Sequence, residues 1–247
     1  MYRKQAESLV ELMQQAEAGV AASQFDLGFA YDFGGGVSRN KGNAVHWYRK
    51  AAEQGYAPAQ FCLAVCYDEG DGVPCNKEMA VELYLKAAGQ GHRESQFNLA
   101  CSYMKGDGVP QDKSAARYWF CRAAECGDSD AQYITGCLLF MGEGGRKDER
   151  LACDWFLKDA ESGFARSQMN LASAYDMGRG VQQDKEKAAY WFLKAAEQGQ
   201  MLAQFCIAWA YEHGAGVEPD LDLALFWYRE AAEQGHAGAR KALARLL

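Results

Sequence analysis

Proline is scarce in this chain, with four residues in 247. Long apolar runs are missing. The longest, residues 61–67 and 205–211, fall far short of the roughly 18 residues that cross a bilayer, so no transmembrane segment is expected. Basic charge is not in excess: 26 Lys and Arg stand against 33 Asp and Glu, a net of -7. Such a chain lacks the positive field that phosphate backbones and anionic lipid require, and a nucleic-acid or membrane-surface partner is not expected. No C-x-x-C pair occurs among the nine cysteines, which removes zinc-ribbon and thioredoxin-like chemistry. The histidines His46, His92, His213 and His236 form no H-E-x-x-H, and neither G-x-S-x-G nor G-x-x-x-x-G-K-[ST] is present. Catalytic residues, metal ligands and cofactors are therefore not expected. The opening M-Y-R-K-Q-A-E-S-L-V-E-L-M-Q-Q-A-E-A-G has no apolar core of the kind a signal peptide needs, and reads as an amphipathic helix.

What the chain does contain is enough apolar material for a core, 49% of residues, and 26 glycines. The glycines are periodic. Gly19, Gly55, Gly91, Gly127, Gly163, Gly199 and Gly235 recur every 36 residues without insertion or deletion. Columns beginning at Gly34, Gly36 and Ala44 keep the same step. Trp47, Trp119, Trp155, Trp191 and Trp227 share a column that Leu83 interrupts, and the next column is always aromatic: Tyr48, Tyr84, Phe120, Phe156, Phe192, Tyr228. A fixed period of this length marks stacked helical repeats, since one helix pair alone cannot bury its apolar face.

Each period divides into two helices. In the second repeat the first helix is expected over about 57–69, with Phe61, Ala64 and Tyr67 at helical spacing and Gly70 as a left-handed cap. The second helix begins after Asn40, Asn76, Asp112, Asp148, Asp184 or Asp220, strong N-cap residues. It carries Ala44, Trp47, Tyr48, Ala51 and Ala52 on its buried stripe and stops at Gly55. Residues 1–19 read as a lone second-type helix and 236–247 as a lone first-type helix, half repeats that cap six full repeats over 20–235 in a single domain. The repeated glycine loops are turns, not phosphate cradles. His92 and His236, beside Gly91 and Gly235, read as exposed turn residues, and Asp68-Glu69 and Asp148-Glu149 as solvated helix ends. The cysteines read as small buried hydrophobes in a reducing compartment.

The second repeat, A-P-A-Q-F-C-L-A-V-C-Y-D-E-G-D-G-V-P-C-N-K-E-M-A-V-E-L-Y-L-K-A-A-G-Q-G, resembles the Sel1-like repeat, a relative of the tetratricopeptide repeat. Residues 164–199 and 200–235 are closer still, with D-x-x-x-A-x-x-W-[FY]-x-x-A-A-E-Q-G. The resemblance implies an all-α fold, an α/α right-handed superhelical solenoid whose first helices line the concave side, and a role as an adaptor for proteins or peptides. Some cysteine-rich bacterial relatives are secreted and place disulfide cysteines at the second alanine of the A-A pair and the glutamine of A-Q. This chain has Ala52 and Gln60, and Ala88 and Gln96, at those places, which favours a cytoplasmic protein; a secreted or periplasmic one would need a leader that has been processed away. The fourth repeat departs furthest, with Thr135, Leu139, Gly145 and Asp159, read as drift or local loosening, with a kink or a contact point as alternatives.

Columns that vary between repeats mark a face free of packing duty. On the first helices these are spaced i, i+4, i+7, i+11, which is one side of a helix. The candidate partner-binding residues on that concave face are Asp26, Phe29, Phe33, Glu69, Asn98 and Lys105 in the first half of the chain. Ile134, Met141, Asn170, Met177, Trp209 and His213 follow in the second half. Asn98 and Asn170 have amides suited to an extended backbone, and Phe29, Phe33 and Trp209 are candidate hot spots. The expected function is a non-enzymatic scaffold for a protein or peptide. Alternatives are an inhibitor or immunity-type protein wrapping one partner, and a penicillin-binding or β-lactamase-like hydrolase of the kind attached to cysteine-rich relatives.

Overall fold

The computed structural model describes the backbone of residues 2–247 and the side chains from Leu9 onward; Met1, part of the expected first helix, lies outside the described residues. The described residues form fourteen α-helices and no strand. The chain divides into two compact units, Met1–Asp128 and Ser129–Leu247. The first unit holds α1 (Tyr2–Glu17), α2 (Ala21–Phe33), α3 (Lys41–Glu53), α4 (Ala57–Glu69), α5 (Lys77–Gly89), α6 (Arg93–Lys105) and α7 (Lys113–Glu125). The second holds α8 (Ser129–Met141), α9 (Glu149–Glu161), α10 (Ala165–Met177), α11 (Lys185–Glu197), α12 (Met201–His213), α13 (Leu221–Glu233) and α14 (Ala237–Leu246). Within each unit every helix packs on its neighbour in the chain, the arrangement of an all-α solenoid.

The helix boundaries follow from local chemistry. Asn40, Asn76, Asp112, Asp148, Asp184 and Asp220 each accept a backbone amide of the first turn. At the other end of the first-type helices a left-handed glycine such as Gly70 (φ 74°) returns its amide to the helix carbonyls. The second glycine of the G-x-G loop has a further duty at Gly72, Gly108, Gly180 and Gly216. At Gly216, φ is +78° and an added Cβ would lie 2.0 Å from the Lys185 carbonyl oxygen at the start of the preceding repeat's second helix. The loop therefore packs backbone to backbone on its neighbour, and only glycine permits it.

The alanine columns are buried, and Tyr48, Tyr84 and Tyr228 are among the largest fully enclosed side chains. The tryptophan column is only half-buried, because it sits at the edge of the stripe that tyrosine and alanine fill. Conserved-looking glutamines close the interfaces. Gln24, Gln60, Gln96, Gln168 and Gln204 are buried and donate to the carbonyls of Ala16, Ala52, Ala88, Ala160 and Ala196 in the helix before. Their side-chain oxygens accept in turn from the next repeat: Gln54 to Gln24, Gln90 to Gln60, Gln198 to Gln168, and Gln234 to Gln204, at 2.7–2.8 Å. Burying an amide this way satisfies groups that would otherwise be costly inside the stack.

The fourth repeat is not loosened where it departs from the others. Asp159 is 0% exposed and accepts hydrogen bonds from the Ser129 hydroxyl at 2.6 Å and from the Ser167 hydroxyl. This ties the starts of α8 and α10 to the end of α9. Thr135 is buried too, and its hydroxyl has no partner.

Candidate functional site

Two tyrosines of the aromatic column on the second helices bond acids near the ends of the first helices. Tyr48 donates its hydroxyl to Asp32 at 3.2 Å, and Tyr228 donates to Glu212 at 2.8 Å. Burial first, and then the adjoining negative charge, pushes both phenols well above their ordinary range. Asp176 occupies the same column as Asp32 and Glu212, but its counterpart on α11 is Phe192, which has no hydroxyl. Asp176 pairs with Lys185, 2.7 Å away, as Asp32 pairs with Lys41 and Asp68 with Lys77. A cavity of about 380 Å³ lies here, on the first-helix side of the second unit, walled by Phe192, Phe205, Cys206 and Trp209 with the Asp176–Lys185 pair at its rim.

Trp209 is held, not loose. Its indole stacks on the His213 ring, centroids 4.4 Å apart at 21°, and the His213 Nδ1 lies 2.9 Å from the Trp209 carbonyl oxygen. Cys206 is a poor nucleophile, because burial, reinforced by the charge of Asp176, pushes its thiol up to about 11. Two further hollows adjoin the same side of this unit. One, about 240 Å³, is lined by Met141, Asn170 and Met177 with Phe140, Phe156 and Arg179; the Arg179 guanidinium lies 4.2 Å over Phe140 and pairs with Glu149 at 2.5 Å. The other, about 310 Å³, lies between Trp209, Tyr228 and α14. Among the described residues no group of three His, Cys, Asp or Glu side chains is placed to hold a metal ion, and no helix is long and apolar enough to cross a membrane.

A model of the Sel1 repeat matches residues 21–56, 57–92, 93–128, 129–164, 165–200 and 202–236. The chain belongs to the Sel1 repeat family. Two solved structures are similar to it. A protective antigen of uropathogenic Escherichia coli strains with an SLR fold is 37% identical, with a TM-score of 0.83; the match covers 97% of this chain and 51% of that one. A Sel1 repeat protein from Oxalobacter formigenes is 34% identical, with a TM-score of 0.70, over 98% of this chain and 70% of that one. The chain thus spans about half the length of the E. coli protein. Comparison with the curated proteins finds no match.

The Sel1 repeat columns place the sequence-derived residues as follows. In the first unit Phe29 and Phe33 are exposed and in contact, centroids 4.5 Å apart, with Asp26 exposed on the same helix and Glu69 and Lys105 exposed at the ends of α4 and α6. Asn98 is half-buried and donates to the Tyr84 hydroxyl at 3.1 Å, so one of its amide hydrogens is already committed to the fold. In the second unit Ile134 is half-buried. Met141, Asn170 and Met177 share one hollow, and Trp209 and His213 another.

Three readings of the sequence are corrected. His92 and His236 are half-buried N-caps, not exposed turn residues: their Nδ1 atoms accept the amides of Ser95 and Ala239 at 3.3 and 3.1 Å, and their rings lie on Phe61 and Phe205. Burial holds the His92 imidazole below its ordinary pKa, against the pull of Glu94. Asp68 and Glu149 are not merely solvated; they pair with Lys77, and with Lys147 and Arg179. The cavity walls Phe192, Phe205 and Cys206 are not among the residues that the sequence singles out: Phe192 falls in the aromatic packing column, and Cys206 reads with the other cysteines as a buried hydrophobe. A signal for Cys206 exists in the sequence: it shares the variable column of Asp26, Asn98, Ile134 and Asn170.

Proposed function

We propose that this chain is a non-enzymatic scaffold that holds an extended segment of another protein along its first-helix face. The observation that carries the reading is the apolar cavity beside Trp209, a large, partly exposed aromatic held rigidly at the edge of an unfilled hollow. Anchoring residues of protein interfaces have this form: a preordered ring in or beside a pocket, with polar groups at the rim. Sel1 repeat proteins commonly mediate protein–protein interaction, which agrees. A hydrolytic role lacks support, since Cys206, the nucleophile-capable wall residue, has its thiol raised to about 11 and no base is arranged beside it. A cytoplasmic setting fits nine cysteines that form no disulfide in the structure.

The test is a comparative capture from native lysate, with wild type beside Trp209→Ala and Phe33→Ala/Asn98→Ala, each shown by circular dichroism to remain helical. A protein retained by wild type and lost with Trp209→Ala supports the cavity as anchor. Loss only with the Phe33 and Asn98 pair moves the anchor to the first unit. Equal capture by all three sinks the first-helix reading.

A further inference from the structure

The cavity shares two of its walls, Phe205 and Trp209, with the hollow beside α14, and the two differ in charge. At the cavity rim Asp176 and Lys185 neutralise one another at 2.7 Å. Arg245, which lines the second hollow, pairs with Glu212, and Glu212 also accepts from the Tyr228 hydroxyl at 2.8 Å. Lys241 lines the same hollow and forms no ion pair among the described residues. The helix that supplies it, A-G-A-R-K-A-L-A-R-L, has three basic side chains and no acid, in a chain whose net charge is -7. An apolar recess and an uncompensated ammonium are thus set on either side of one indole.

We propose that the segment bound here carries a large apolar side chain with a carboxylate within a few residues of it. The apolar group enters the cavity between Phe192, Phe205 and Trp209, and the carboxylate meets Lys241. Phe205 and Trp209 wall both recesses, so one short extended segment can reach the two. The assignment rests on the peptide-binding reading above and adds the chemistry of the ligand. Charge at such a rim selects among partners and speeds encounter more than it adds affinity.

The test uses the full chain and a displayed library of peptides randomised over eight positions. It is selected in parallel against wild type, Lys241→Glu and Trp209→Ala, the last two checked for unchanged helicity. Wild type is expected to enrich a large apolar residue with Asp or Glu within a few positions of it. Lys241→Glu is expected to keep the apolar residue and exchange the acid for Lys or Arg. A synthetic peptide from the wild-type selection should bind Lys241→Glu about fivefold more weakly, with the difference shrinking in high salt. An apolar motif that vanishes with Trp209→Ala but shows no charge preference, or one indifferent to Lys241→Glu, overturns the carboxylate and leaves the groove standing. Peptides selected equally well by Trp209→Ala overturn both.

Discussion

Asp159 stands in a column that the other repeats fill with Ala51, Ala87, Ala123, Ala195 and Ala231. A carboxylate buried there survives because Ser129 and Ser167 both donate to it. Removing one donor leaves a buried charge short of a partner; removing donor and charge together restores the packing found elsewhere in the chain. Ser167→Ala should therefore lower stability by about 1–3 kcal/mol, and Asp159→Ala added to it should regain most of that loss. Urea unfolding of wild type, both single variants and the double variant measures the coupling. A double variant less stable than Ser167→Ala would show that the carboxylate itself holds the three helices together. His92 poses a related question for pH. Its folded-state pKa lies below the ordinary value, so the unfolded chain binds the proton more readily. Its contribution is fully present above about pH 6.5 and is lost as the pH falls toward the folded-state value. His92→Asn keeps a side-chain acceptor at the cap and removes the titration. Wild type should lose more stability than this variant between about pH 7.5 and about pH 5; parallel slopes would place the titrating group elsewhere.

At the scale of the helices, the buried glutamines explain why A-Q and E-Q-G recur together. One column donates to the preceding helix, and its oxygen receives the amide of the other column 30 residues later. The relation was not legible in the sequence, where two polar columns in a helical pattern read as surface. Only the interdigitation of successive pairs brings them into contact. The ladder weakens at Cys126, which offers Gln96 a long thiol contact of 3.7 Å where Gln54 and Gln90 offer amides to theirs. Cys126→Gln should restore the rung and stabilise the protein by about 0.5–1 kcal/mol, read as a raised denaturant midpoint with an unchanged slope. No gain would mean that the glutamine cannot reach Gln96 from the end of α7.

For the whole molecule, the 36-residue period by itself determined the helices, their caps, the glycine turns and the stacking of pairs. Each of these is set by residues within one repeat or by contact with the next, and such nearest-neighbour rules are written directly into a repeating sequence. Exposure in the variable columns was legible as well, because a surface without packing duty is free to change: Phe33 in the first unit is 69% exposed and Met141 in the second is 66% exposed. Where that face becomes concave enough to hold a ligand was not legible. The cavity beside Trp209 is walled by Phe192, read as one more core aromatic, and by Phe205 and Cys206 of the following helix, and its volume depends on how those side chains pack between helices. Likewise His92 and Asp159 were ambiguous as letters and became a cap and a buried anchor only once their neighbours were in place. Periodicity specifies what every repeat does alike; tertiary structure decides what one repeat does differently, because the consequence of a substitution depends on atoms of neighbouring helices that the local pattern does not name.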